Sequence, residues 1–259
     1  MPFIALNNFN CHYLYEDFGH DQTLILSNSL GANFWMWEDN IDELSHHFNI
    51  LRYDKRGHGQ SSIDQDTLTI RELGEDVIEL IDKLKLEKVS FCGLSIGGLT
   101  GQWLGIHHPE RFQKIIISNT AAKIGSGESW QARIKQVEDF GLGSILEGTA
   151  NRWFTPEYRA KNAEKVEKIL EDFQANSLRG YIACCHALAQ ADFSEQLYRI
   201  ELPLLIIAGT QDEVTTVQDA QFIQKRAGLT HLITLDAAHL ASMEHPREFA
   251  KHIIHFTQH

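Results

Sequence analysis

The stretch Lys88-Val89-Ser90-Phe91-Cys92-Gly93-Leu94-Ser95-Ile96-Gly97-Gly98 decides the fold. An apolar run leads into Gly-x-Ser-x-Gly, and a helical pattern follows it. A turn of this kind between a strand and a helix forces its serine into a strained, exposed conformation. The small flanking residues let the strand and the helix approach closely enough to make it. A hydroxyl held there, beside the free amides of a helix N-terminus, can attack a carbonyl and have the resulting oxyanion stabilised at once.

The same alternation extends to both sides. Phe3 to Asn7 and Cys11 to Glu16 alternate apolar and polar residues and read as an antiparallel hairpin at a sheet edge. Thr23 to Ser27 reads as a buried strand, and Phe34 to His47 as a helix with Phe34, Trp37, Ile41 and Leu44 on one face. Asn49 to Asp54 is the next strand. Thr69 opens a helix with Glu72 as its capping-box partner, and Leu73, Val77, Leu80, Ile81 and Leu84 keep helical spacing. Lys114 to Ser118 is a strand again. From about Ala121 to Asp192 only helical patterns occur: around Ser129 to Phe140, ending near Phe154, from Pro156 to about Phe173, and from Ser177 to Gln190. Strand and helix resume with Pro203 to Gly209, a helix from Val217, a strand from His231 to Leu235 and a helix from Pro246. The pattern predicts an α/β fold with a mostly parallel sheet covered on both faces. The core comprises residues 1–120 and 193–259, and 121–192 is a helical cap. In such sheets functional groups gather beyond the carboxyl ends of the strands.

A serine hydroxyl needs a base, and the base needs a partner that fixes its tautomer. Asp212 follows the strand ending at Gly209, and His239 lies in the loop after the last strand. The order Ser95, Asp212, His239 along an α/β sheet is the order of a hydrolase triad. Glu213 and Asp236 are rival acids. Glu213, next to Asp212 in a turn, points elsewhere, and Asp236 is close in sequence to His239 itself. The backbone N–H groups of Ile96 and of Leu30, in the loop after Ser27, are the candidate oxyanion donors. Arg56-Gly57-His58-Gly59-Gln60-Ser61 reads as a tight, packed turn rather than a source of a catalytic His58.

In composition the chain is that of an ordinary globular protein, with 259 residues, 43% hydrophobic and 22% charged. Its formal net charge of −12 offers no positive field to attract nucleic acid or anionic membranes. The start of the chain lacks the basic and apolar regions of a signal peptide, and no run approaches the roughly 18 apolar residues of a membrane span. The four cysteines, Cys11, Cys92, Cys184 and Cys185, lack metal-ligand spacing and read as reduced thiols of a cytoplasmic protein. His46-His47 and His107-His108 read as exposed helix ends rather than metal ligands. No metal is expected, and the oligomeric state is left open.

The combination Gly-x-Ser-x-Gly-Gly, Arg-Gly-x-Gly-x-Ser, the Gly-x-x-Asp turn and the late histidine loop resembles the α/β-hydrolase superfamily over essentially the whole chain. Ser27-Asn28-Ser29-Leu30-Gly31 with Met36-Trp37, and Gly101-Gln102-Trp103-Leu104-Gly105 after the serine turn, resemble the 3-oxoadipate enol-lactone hydrolases. So do Trp130 with Arg133-Ile134, Arg152-Trp153-Phe154-Thr155, and Gly180-Tyr181 with Ala183-Cys184-Cys185. Two departures stand out: Thr215-Thr216 where the family often has Thr-Pro, and Ala241-Ser242 where it often has Ser-Asn. The resemblance implies opening of a five-membered enol-lactone that carries a carboxylate arm, giving 3-oxoadipate, late in the bacterial breakdown of aromatic acids. It implies no cofactor. Within an acidic protein the carboxylate arm needs a local cation, for which Arg133 beside Trp130 is the candidate, with Trp153 as an aromatic wall. A surface i,i+4 pair is the competing role for Arg133. The competing functions are another carboxylesterase, lactonase or carbon–carbon bond hydrolase with the same triad, or a ligand receptor on this fold.

Overall fold

The computed structural model describes residues 2–258. Met1 and His259, the outer limits of the expected core segments, lie outside the described residues. The strands are β1 (Phe3–Leu6), β2 (Phe9–Glu16), β3 (Thr23–Ser27), β4 (Asn49–Tyr53), β5 (Val89–Leu94), β6 (Phe112–Ser118), β7 (Leu204–Gly209) and β8 (Thr230–Leu235). They form one sheet in the order β1-β2-β4-β3-β5-β6-β7-β8. β1 and β2 pair antiparallel, as do β2 and β4, and every later pair is parallel. β3, β5 and β7 are buried along their whole length, which is why they read as continuous apolar runs rather than alternating ones.

Helices α1 (Glu38–Leu44), α2 (Ile70–Lys83) and α3 (Ile96–His107) connect β3 to β4, β4 to β5 and β5 to β6. Between β6 and β7 come α4 (Gly127–Phe140), α5 (Leu146–Trp153), α6 (Pro156–Lys161), α7 (Ala163–Gln174) and α8 (Leu178–Gln190). After β7 come α9 (Val217–Arg226), α10 (Ala241–Glu244) and α11 (Pro246–Gln258). The predicted capping box of α2 is formed: Glu72 N–H donates to Thr69 Oγ1 at 3.2 Å, and Thr69 N–H donates to Glu72 Oε2 at 2.8 Å. α3 is buried all round except at His107, as expected of a helix at the centre of the molecule.

Four expectations about element limits are corrected. The helix expected from Phe34 begins as a 3-10 turn, Phe34–Trp37, capped by the Asn33 side chain, and becomes α-helical only at Glu38. β2 begins at Phe9 and β6 at Phe112, earlier than expected. The single helix expected from Pro156 to Phe173 is two helices broken at Asn162, whose φ is −125° and ψ 38°. Its side-chain amide donates to the Tyr158 carbonyl at 3.1 Å, giving the backbone an alternative to continuing the helix.

The parallel register brings the functional loops to one edge. Ser27 pairs with Gly93, Leu94 with Ser118, Ser118 with Ile207, and Gly209 with Leu235. The chain therefore leaves β3, β5, β6, β7 and β8 at nearly one level. The turn after β5 depends on close backbone contact. A Cβ on Gly93 would lie 2.1 Å from the Gly97 carbonyl oxygen, and one on Gly97 would lie 2.5 Å from the Ser27 carbonyl oxygen. Backbone atoms at such distances cannot yield as a flexible side chain would. Gly93→Ala is therefore expected to destabilise the fold by about 3 kcal/mol or more, read as a lower urea midpoint at unchanged slope.

Candidate active site

Ser95 stands between β5 and α3 with φ 60° and ψ −115°. For a residue with a Cβ this conformation costs on the order of 1–3 kcal/mol, and the packing of β5 against α3 imposes it. Its N–H donates to the Ser118 carbonyl at 2.9 Å, and Thr120 Oγ1 donates to its carbonyl at 2.8 Å, so the turn is held from β6.

Asp212 and His239, 27 residues apart, meet at the same edge: His239 Nδ1 lies 2.8 Å from Asp212 Oδ2, and both residues are buried. The carboxylate is saturated with donors. Val214 N–H and Thr215 N–H reach Oδ1 at 2.8 and 3.1 Å, while Thr215 Oγ1 and Asn119 Nδ2 reach Oδ2 at 2.7 and 3.0 Å. Burial works against its charge, but the facing His239 and the hydrogen bonds from His239, Asn119 and Thr215 hold the carboxyl well below the usual carboxylate range. The rivals are elsewhere. Glu213 is exposed, and Asp236 lies on the surface, accepting from Thr210 and Gln211.

Ser95 and His239 line one small cavity of about 70 Å³ together with Ser29, Leu30 and a wall from the helical insert. That wall contains Trp130, Arg133 and Trp153, the three residues expected to meet substrate, and also Thr149, Arg152, Phe173 and Tyr181. Leu30 lies outside the helices and strands, and its N–H donates to no acceptor among the described residues. Ile96 opens α3, so its N–H has no intrahelical acceptor. The loop carrying Leu30 is fixed from below. Ser27 Oγ is 2.8 Å from Tyr53 Oη, Asn28 Nδ2 donates to the Tyr53 carbonyl at 2.9 Å, and Trp37 Nε1 donates to Asn28 Oδ1 at 2.9 Å. Gly31 has φ +80°, and a Cβ there would run into the Phe173 ring at 2.2 Å. Such an arrangement can deliver a hydroxyl to a carbonyl, remove its proton and receive the charge that develops on oxygen.

The residues 22–246 match the model of the alpha/beta hydrolase fold family. The chain belongs to the α/β hydrolases. Among relatives of this α/β hydrolase, 3-oxoadipate enol-lactonase 2 of Acinetobacter baylyi is 47% identical over 91% of this chain and 89% of its own length. 3-Oxoadipate enol-lactonase 1 of the same organism is 41% identical over 87% of this chain and 85% of its own length. The crystal structure of the enol-lactonase from Burkholderia xenovorans LB400 superposes with a TM-score of 0.97 at 34% identity, covering 100% of both chains.

Several residues of this α/β hydrolase site escaped the sequence reading. Arg152 and Tyr181 stand in segments that carry the family resemblance, which was the available signal. Asn119 had none. It follows β6 with φ +45°, a conformation asparagine tolerates, and its side chain also reaches the Ala238 carbonyl at 3.1 Å, tying Asp212 to the histidine loop. The Thr215-Thr216 departure has a physical role. Thr215 serves Asp212, and Thr216 caps α9 in a capping box with Asp219. His58 is fully buried with Nδ1 on the Arg56 carbonyl, in keeping with its reading as part of a packed turn. A larger depression of about 680 Å³ lined by Glu38, Asp39, Asp42 and residues of α10 and α11 is an open acidic groove far in character from this site. Among the described residues no cluster of three His, Cys, Asp or Glu side chains could hold a metal, and no helix is long and apolar enough to cross a membrane.

Proposed function

We propose that this α/β hydrolase opens 3-oxoadipate enol-lactone to 3-oxoadipate in the breakdown of aromatic acids, working in the cytoplasm on a small molecule and not on nucleic acid. Ser95 is the nucleophile, His239 the base, Asp212 its orienting acid, and the Leu30 and Ile96 N–H groups form the oxyanion hole. Residues 121–192 act as the cap that selects the substrate, a reading supported by the Phe193 N–H bond to the Ala122 carbonyl, 2.9 Å, which joins the two ends of the insert. Ser95 Oγ attacks the lactone carbonyl carbon while His239 takes its proton. The ring C–O bond then breaks, and the enolate that leaves is protonated and becomes a ketone. His239 next draws a proton from water, which attacks the acyl carbon and frees Ser95.

The observation that carries the substrate is the pair of cations in the cavity. Arg133 and Arg152 form no ion pair among the described residues, although both line the space beside Ser95. Burial and then the charge of Arg133 pull the Arg152 guanidinium below its ordinary range. Among the described residues Arg152 Nη2 donates only to the neutral Thr149 hydroxyl, at 3.3 Å, and a carboxylate seated between two like charges at a cavity wall relieves their repulsion and pairs both. Trp130 is fixed beside them by its Nε1 bond to the Ile124 carbonyl, 2.6 Å.

Steady-state hydrolysis of the enol-lactone against a neutral lactone and a neutral ester tests this. Arg152→Ala and Arg133→Ala are each expected to raise KM for the anionic lactone about tenfold or more, with little change for the neutral substrates. Equal effects on charged and neutral substrates would overturn the anion site. A wild type that cleaves esters but not the enol-lactone would overturn the substrate and leave the hydrolase.

A further inference from the structure

Lys55 follows Asp54 at the end of β4 and is 5% exposed. It forms no ion pair among the described residues. Asp54, its neighbour, turns its carboxylate to His12 Nδ1 at 2.7 Å and to the N–H groups of Phe34 and Gln60. The Lys55 ammonium instead donates to a single backbone group, the Ser29 carbonyl oxygen, at 2.8 Å. Burying a cation without a carboxylate partner is costly, and replacing it by an apolar residue would recover that cost. The cation therefore needs an explanation other than stability.

The geometry of the peptide supplies one. Among the described residues no peptide bond is cis, so the Ser29 C=O and the Leu30 N–H share one plane and point in opposite directions. Ser29 and Leu30 line the cavity that contains Ser95, and Lys55 does not. A carbonyl drawn toward Lys55 is drawn away from the cavity, which turns the Leu30 N–H into it. The bond is charge-assisted, and it polarises the peptide so that the N–H becomes a better donor. The next peptide is held as well, with Asn176 Nδ2 donating to the Gly31 carbonyl at 2.7 Å.

We infer that Lys55 is the positioning residue of the oxyanion hole: by gripping the Ser29 carbonyl from behind, it aims the Leu30 N–H at the oxyanion formed when Ser95 attacks. This rests on the reading of Ser95 as nucleophile. Lys55 touches no reacting atom and contributes through the peptide alone.

The groups facing the ammonium are Cys184 on α8, Asp54 on its own segment and His58 in the following turn. Burial lowers Lys55 to about 8, against the opposing influence of Cys184 and Asp54. The grip is charged below that value and weakens as pH rises through it. Burial keeps the Cys184 thiol up at about 12 and leaves it neutral over that interval.

The test is the pH dependence of kcat and KM on a neutral activated ester for wild type, Lys55→Met and Lys55→Gln, with fluorophosphonate labelling of Ser95 followed by mass spectrometry. Wild-type kcat is expected to fall as pH rises through about 8. Lys55→Met should lose about tenfold or more in kcat at neutral pH with KM within about twofold, and should lack that inflection. Lys55→Gln, a neutral donor, should restore part of kcat, again without the inflection. A Lys55→Met kcat near wild type, a loss carried by KM, or an inflection kept in the variant would overturn the inference. Absence of a Ser95 adduct in wild type would overturn the nucleophile itself, whereas a labelled wild type with an unaffected Lys55→Met overturns only the role of Lys55.

Discussion

Ser95→Ala is expected to reduce kcat for the enol-lactone on the order of 10⁴- to 10⁶-fold while leaving KM close to that of wild type. The substitution removes one oxygen from a turn whose backbone is fixed by Gly93, Gly97 and the bonds to β6, so the fold has no reason to change. It also relieves no strain, because alanine at φ 60° is as constrained as serine. The oxyanion donors and the arginine wall remain, so the lactone still binds. Residual turnover would come from water attacking directly, with the oxyanion hole intact. Neutral esters should lose activity in the same proportion, since the acylation step is common to both. Steady-state kinetics with active-site titration checks this, and a variant retaining a tenth of wild-type kcat would remove Ser95 from the nucleophile's role.

Asp212→Asn is the second large effect, about 10⁴-fold in kcat, and its origin can be traced atom by atom. Oδ1 accepts two backbone N–H groups, which cannot turn away. Oδ2 accepts from the Thr215 hydroxyl, which can rotate, from Asn119, and from His239 Nδ1. An asparagine therefore keeps its oxygen on the backbone amides and presents its NH₂ to His239. The imidazole must then accept at Nδ1 and carry its proton on Nε2, the wrong tautomer to receive a proton from Ser95. The ¹⁵N shifts of His239 would report the switch, and a variant with the wild-type tautomer and full kcat would contradict it. The wild-type carboxylate has the opposite character. Its folded-state pKa lies below the ordinary 3.8, so its contribution to stability is complete above that value and is lost only as pH falls through the lower, folded one. Loss of activity at mildly acidic pH therefore belongs to a group other than Asp212.

The sheet was legible in the sequence because β3, β5 and β7 are buried on both faces and leave unbroken apolar runs. The serine turn was legible because only glycine fits at 93 and 97. Asp212 and His239 were legible by their positions after strands, since a parallel sheet gathers such loops at one edge. The break at Asn162 was not, because a single asparagine in a helical pattern is tolerated as often as it interrupts. Asn119, Thr215 and Lys55 were not legible either. Asn119 and Lys55 act on oxygens distant in sequence, and Thr215 acts on a carboxylate three residues before it; polar residues of this kind have no periodicity to betray them. Arg152 stands one position from Trp153 and nothing in its spacing sets it apart; both face the cavity because the last turn of α5 ends against it.

That last turn of α5 is joined to the histidine loop by main-chain atoms. His239 N–H donates to the Arg152 carbonyl at 3.3 Å, and Leu240 N–H donates to the Trp153 carbonyl at 3.0 Å. Neither bond uses a side chain. Exchanges at 152 and 153 therefore remodel the cavity wall, and under the proposed function the molecules admitted, without loosening the clasp that keeps the imidazole in register. Under that proposal selectivity and chemistry are heritable separately, although they meet at the same two residues.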